Sequence, residues 1–215
     1  MDALRNSLIV AVVASILSTA FGALGALVLH SKSKRMRLAM SVLSIVSLVF
    51  PEIVFALSLL SLFFILKFEL GLTTVIIAHV SFSISYVMMT VGARLASFDP
   101  GIEDAARGLG ASEYQVVTTG VLPLLKPALF GGFILSFLLS FDDFLITYFV
   151  NGVGTDTLPL KLYSAMKMGI SPKLNALSSL MFVMTFVALI FFFRSSAFRV
   201  LFEGQRRNHD EGKDS

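Results

Sequence analysis

The sequence predicts an all-α polytopic membrane protein with five membrane-spanning helices, and three observations carry that prediction. Of its 215 residues 56% are hydrophobic and only 14% charged, with a mean hydropathy of +0.85, against about 25% charged in soluble chains. The apolar residues fall in uncharged runs of the length a bilayer-spanning helix needs, about 20 residues. Lys and Arg collect in alternate connections, as in multi-pass proteins. The chain has no Cys, which excludes disulfide frameworks, thiolate metal sites, Fe–S clusters and cysteine nucleophiles. Its three His (His30, His79, His209) form no ligand pair at helical spacing, so no metal site is expected. The net charge of +3 does not imply nucleic acid.

The first span is Ser7 to Leu29, 23 residues without a charge and longer than a signal-peptide core of about 7–15 residues. Ala14, Ser18, Gly22 and Ala26 recur every fourth residue along it, a flank of small residues fitted to close helix packing. The second, Leu38 to Leu66, is 29 residues, too long for a core of about 30 Å at 1.5 Å per residue. Tilt or a break is required, and Pro51 supplies a break because it cannot donate to the Ser47 carbonyl and its ring crowds that turn. Gly71 to Val91 is the third span, containing His79 and the Ser81, Ser83, Ser85 cluster. The fourth, Ala128 to Val150, contains Asp142 and Asp143. The fifth is Leu174 to Phe193, ending at Arg194.

With the N-terminus outside, Lys32, Lys34, Arg35, Arg37, Arg94, Arg107, Lys126 and the C-terminal Arg194, Arg199, Arg206, Arg207 and Lys213 all lie inside. Only Arg5, Lys67, Lys161, Lys167 and Lys173 lie outside. The positive-inside bias therefore predicts N-out, C-in. Residues 1–202 form the membrane domain, and 203–215 are a polar cytoplasmic tail.

Residues 96–127 are a cytoplasmic loop with its own grammar. Asp99 can cap a helix whose first turn holds Pro100, and Glu103 and Asp104 lie near its positive end. Ala105 and Ala106 follow, Gly110 can close the helix in a left-handed cap, and a second helix begins near Ser112. From physics alone, this bracket is either held by a partner or is an amphipathic connector at the interface.

The run Glu103-Asp104-Ala105-Ala106, three residues, Gly110, nine residues, Gly120-Val121-Leu122-Pro123 resembles the EAA loop of the membrane subunits of bacterial binding-protein-dependent ABC importers. Asp104 stands where that family has Glu, and Gly120 where it usually has Ile or Val. The resemblance implies that Glu103, Asp104, Ala105, Ala106 and Gly110 form a coupling helix docked on a cytoplasmic ABC ATPase dimer. It further implies a second permease subunit, an extracytoplasmic solute-binding protein and a multi-pass place in the bacterial inner membrane. ATP and Mg would act on the ATPase; this chain has no phosphate loop, no catalytic residues and no cofactor of its own. Six spans are common in the family, and the stretch from Leu4 looks like the beginning of its second, so relative to that family the resemblance implies that an N-terminal span is missing from this sequence. Ser140-Phe141-Asp142-Asp143-Phe144, Thr157-Leu158-Pro159 and Lys173-Leu174-Asn175-Ala176 look most like the spermidine/putrescine importer permeases. Relatives that import iron(III), sulfate or thiamine share the scaffold, and an energy-independent channel or structural membrane protein is the reading from another class.

Acidic groups within the bilayer cost about 2.5–3.5 kcal/mol on insertion scales and usually face a cavity or a partner. Asp142, Asp143 and, beside the Pro51 break, Glu52 are therefore candidates for a solute pathway, with Phe141, Phe144 and Tyr148 as neighbouring rings. Carboxylates beside aromatic rings suit a polyamine, whose ammonium groups pair with charge and with ring faces while its methylenes pack on the rings. The competing reading is that an aspartate bonds a neighbouring helix and fixes packing. His79 is expected to be a hydrogen-bonded packing residue.

Overall fold

A computed structural model describes residues 2–29, 34–99, 101–169 and 172–194, all helices and connections. Helix α1 spans Asp2–Leu29, α2 Lys34–Val49, α3 Glu52–Ile65, α4 Leu72–Ala96, α5 Gly101–Gly108 and α6 Glu113–Gln115. A π-helical turn, Val116–Val121, leads into α7 (Leu122–Asp142), followed by α8 (Leu145–Val150), α9 (Leu158–Lys167) and α10 (Pro172–Arg194). Among the described residues three helices are long and apolar enough to cross a membrane: α1, α4 and the continuous run Glu113–Asp142.

Helices α1, α4 and α7 pack on one another and form the centre. Apolar side chains gain little by leaving lipid for protein, so close approach and hydrogen bonds hold such a centre together. The small flank of α1 supplies the approach: Ala14, Ser18, Gly22 and Ala26 are all buried. A Cβ on Gly22 would lie 2.7 Å from the Val87 Cβ of α4, so only glycine lets these backbones come so near. Val87, Met88, Val91 and Leu95 of α4 continue this core to Val116, Val121 and Leu125. A second core toward the other end joins Val10, Ala56, Val75, Ala78, Ile146 and Val150.

Two expected spans differ in detail from the structure. The 38–66 span is two helices that part at Phe50-Pro51, with α2 against α4 and α1, and α3 against α8. The break falls where Pro51 removes its donor. The fourth span begins earlier than Ala128, because the helix runs unbroken from Glu113 through Pro123 and Pro127. The π-helical turn before it accommodates the wider register: the Thr118 and Thr119 hydroxyls donate to the Tyr114 and Gln115 carbonyls at 2.7 and 2.6 Å, which keeps those carbonyls paired where the ladder loosens. The same span does not run through to Val150. It stops at Asp142, Asp143 is extended (φ −66°, ψ 128°), and α8 resumes at Leu145. The polar tail 203–215 lies outside the described residues.

Candidate functional site

The two ends of the bundle hold the two sets of residues that the sequence singles out, about 30 Å apart along α7 at 1.5 Å per residue.

At one end the Asp99 carboxylate accepts from the Gly101 N–H at 2.8 Å and starts α5. The helix closes with the Ala111 N–H donating to the Ala106 carbonyl and the Gly110 N–H to the Arg107 carbonyl, at 3.1 and 2.9 Å. That pair of bonds is a Schellman cap, and Gly110 takes its left-handed position with φ +88°. Ser112 and Gln115 then bond each other's backbone in a capping box that starts α6. Arg107 spans the turn: its Nε and Nη2 donate to the Glu113 carboxylate at 2.7 and 3.2 Å, and Nη1 donates to Asp104 at 3.1 Å. Ala106 packs on the central core, while Asp104, Ala105 and Gly110 are exposed. Leu109 (90% exposed) and Tyr114 (77%) stand beside them. Glu103 lies in α5; its side chain is outside the described set.

At the other end a cavity of about 640 Å³ lies between α3, α4, α7 and α10. Glu52, Asp142 and Asp143 line it, with Phe50, Phe55, Phe82, Tyr86 and Phe144 as its aromatic wall. The two aspartates, adjacent in sequence, have opposite environments because the helix ends between them. Asp142 is exposed to the cavity, and no hydrogen bond or ion pair reaches it among the described residues. Asp143 is buried and acts as the cap of α8: it accepts from the Ile146 N–H at 3.3 Å, the Thr147 N–H at 2.9 Å and the Thr147 hydroxyl at 2.8 Å. A helix start buried at this depth leaves backbone donors that need an acceptor, and this carboxylate provides one.

His79 of α4 locks the break from the side. Its ring is fully buried; Nε2 lies 3.1 Å from Asp143 and 3.0 Å from the Thr147 hydroxyl, and Nδ1 lies 2.6 Å from the Ser140 hydroxyl. With the proton on Nε2, the ring donates to Asp143 and accepts from Ser140, so every polar atom of the imidazole is paired. Thr74 of the same helix donates to the Val150 carbonyl at 2.8 Å, so α4 grips both ends of α8.

Of the expected pathway residues, Glu52, Asp142, Asp143 and Phe144 meet at the cavity. Phe141 does not: it is 1% exposed, stacked on Phe137 and packed on Ala11 and Leu158, because it precedes Asp142 on a helix and points about 100° away. Tyr148 does not line the cavity either; it lies beyond the break, 48% exposed, against Phe144, Phe149 and Tyr163. Sequence reasoning missed Phe50, Phe55, Phe82, Tyr86 and Thr185, the last with a buried hydroxyl that has no hydrogen-bond partner among the described residues. His79, Phe82 and Tyr86 share one face of α4 by their spacing of three and four, and that spacing was the available signal.

Residues 18–207 match the family described as binding-protein-dependent transport system inner membrane component. The spermidine/putrescine transport system permease protein PotC of Escherichia coli (strain K12) is 38% identical over 190 residues, which cover 88% of this chain and 72% of that protein. PotC of Haemophilus influenzae is 37% identical, with 88% and 74% covered. The putrescine transport system permease protein PotI of Escherichia coli (strain K12) is 40% identical over 139 residues, covering 62% and 50%. Among solved structures, the inward-facing MetNI methionine ABC transporter superposes with a TM-score of 0.76 at 16% identity, 94% of each chain covered. An amino acid ABC transporter determined with histidines gives 0.69 at 19%, covering 88% and 89%. These two likenesses are of fold.

Proposed function

Because the chain belongs to the family of binding-protein-dependent transport system inner membrane components, we propose that it is the membrane-spanning subunit of an ATP-binding-cassette importer that carries polyamines such as spermidine and putrescine. The single observation that carries the choice of solute, beside the likeness to PotC and PotI, is the cavity that opens on the unpaired Asp142 carboxylate and on Glu52 between aromatic walls. Such a lining attracts ammonium groups and accommodates methylenes; it repels an anion such as sulfate.

The importer works by alternating access. A separate ATPase pair, which binds ATP and Mg, holds the loop from Glu103 to Gly110 at the cytoplasmic end. A solute-binding protein delivers cargo at the opposite end, and a second permease subunit completes the pathway. The exposed Leu109 and Tyr114 beside the Gly110 turn support docking there, since a stiff, capped turn with apolar side chains in the open is suited to push against a partner. The C-terminus is cytoplasmic on the charge partition. Asp143 holds the broken helix, and Asp142 and Glu52 meet the solute.

The test is uptake of labelled putrescine and spermidine by cells carrying the assembled transporter, normalised to complex in the membrane. Asp142→Asn and Glu52→Gln each remove one charged contact, worth about 1.5–3 kcal/mol, so the apparent affinity for solute falls about tenfold or more. Undiminished uptake by both variants removes these carboxyls from the pathway.

A further inference from the structure

The cavity wall shares one ring with a second aromatic cluster on its outer flank. Phe144, which faces the cavity, lies 4.5 Å from the Tyr163 ring and 5.6 Å from Tyr148, and those two tyrosines are 6.1 Å apart and nearly perpendicular. The rings come from opposite sides of the 151–157 connection. That connection is held by Asn6 donating to the Asp156 carbonyl at 3.0 Å and by the Leu158 N–H donating to the Ser7 hydroxyl at 2.7 Å. The cluster is thus fixed against α1.

A cation already sits on it. The Lys167 ammonium stands 4.6 Å from the centre of the Tyr163 ring, within the range of cation–π attraction. Interaction with the Tyr163 hydroxyl, and more weakly with Tyr148, holds this ammonium above its ordinary range. Lys167 is the last residue of α9 and exposed; packing does not require its head group to rest there. A lysine ammonium and the end of an alkyl diamine are the same chemical group.

We propose that the rings of Phe144, Tyr148 and Tyr163 form a reception site for a primary alkylammonium group, and that Lys167 occupies it as an internal stand-in which an arriving amine displaces. The proposal rests on the cationic-solute reading above and adds a step to it: the amine is held on the rings before it meets Glu52 and Asp142. Phe144 belongs to both sites, so cargo passes between them without crossing bare apolar wall. Lys167, once displaced, repels a second cation and favours inward movement of the first.

The full chain in lipid nanodiscs is titrated with n-butylammonium, with emission from its four tyrosines, undisturbed by tryptophan, as the readout. Lys167→Gln removes the competitor and tightens binding about two- to fivefold, the size of one exposed cation–π contact. Tyr163→Leu weakens binding by the same factor or more, and Tyr163→Phe, which keeps the ring face, stays within about twofold of wild type. A merely structural Lys167–Tyr163 pair would lower thermal stability in Lys167→Gln and leave butylammonium affinity unmoved. No saturable response in either wild type or Lys167→Gln, weaker binding in Lys167→Gln, or an unaltered titration in Tyr163→Leu overturns the site. Polyamine uptake separates the two readings: butylammonium binding as stated, with no putrescine or spermidine uptake by the assembled transporter, keeps the reception site and removes the solute assignment. Polyamine uptake with an unaltered Tyr163→Leu titration does the reverse.

Discussion

Replacing Asp143 by Ala, with Asp142→Ala as its control, tests whether two adjacent carboxylates have separate roles. Asp143 caps α8 through the Ile146 and Thr147 amides and takes a bond from His79. Loss of such a cap costs about 0.5–2 kcal/mol, and an interhelical hydrogen bond in a membrane adds about 0.6 kcal/mol. The His79 Nε2 keeps the Thr147 hydroxyl as an acceptor at 3.0 Å, so the loss falls on the Ile146 and Thr147 donors that the carboxylate serves. The expected loss for Asp143→Ala is therefore about 1–3 kcal/mol. Asp143→Asn retains an acceptor oxygen for the cap and stays within about 1 kcal/mol. Asp142 is exposed, and its truncation changes stability by no more than about 0.5 kcal/mol. Unfolding in mixed micelles by titration with a denaturing detergent, followed by helical circular dichroism, gives the three differences. Equal losses for Asp142→Ala and Asp143→Ala, or no loss for Asp143→Ala, would refute the assignment of the break to the Asp143 cap.

What was legible in the sequence was what depends on near neighbours. Asp99, Gly110 and Ser112 act through bonds that span no more than five residues, so their caps could be read from spacing, as could the break at Pro51 and the small flank of α1. The carboxylates were legible as a group, because an acidic residue inside an apolar run needs a reason wherever it sits. Their division of labour was not. It depends on a helix end that no Gly or Pro marks, stabilised by His79, 64 residues away. A reading of 128–150 as one helix placed Asp142 and Asp143 on neighbouring faces of the same rod and recruited Phe141 by proximity along the chain. Three-dimensional proximity instead brings Phe55, Phe82 and Tyr86 from other helices and Phe50 from the break before α3. His79 was expected to be a hydrogen-bonded packing residue, and its bonds to Ser140, Asp143 and Thr147 match that expectation; the partners were the part that only the fold could supply.

Gly22→Leu forces a side chain into a space where even a Cβ meets Val87 at 2.7 Å, so α1 separates from α4, and the amount of folded protein recovered from membranes falls severalfold while Ile16→Leu, on the exposed face, has no such effect. Arg107→Met removes the bridge from α5 to Glu113 and Asp104; because exposed pairs contribute less than about 1 kcal/mol, thermal stability is nearly unchanged, but stimulation of the partner ATPase by loaded solute receptor drops. Gly110→Val tests the same loop through its backbone. The left-handed conformation at φ +88° costs a residue with a Cβ about 1–2 kcal/mol, and a Cβ there meets nothing within 4 Å, so the penalty is conformational and not steric crowding. The variant therefore inserts and packs its central helices normally, and the turn alone relaxes, which moves Leu109 and Tyr114 relative to α5. Transport falls at least about tenfold, while Gly110→Asn, a residue that tolerates the left-handed region, retains most of it; equal transport by Val and Asn variants would show that the turn's handedness does not matter to coupling.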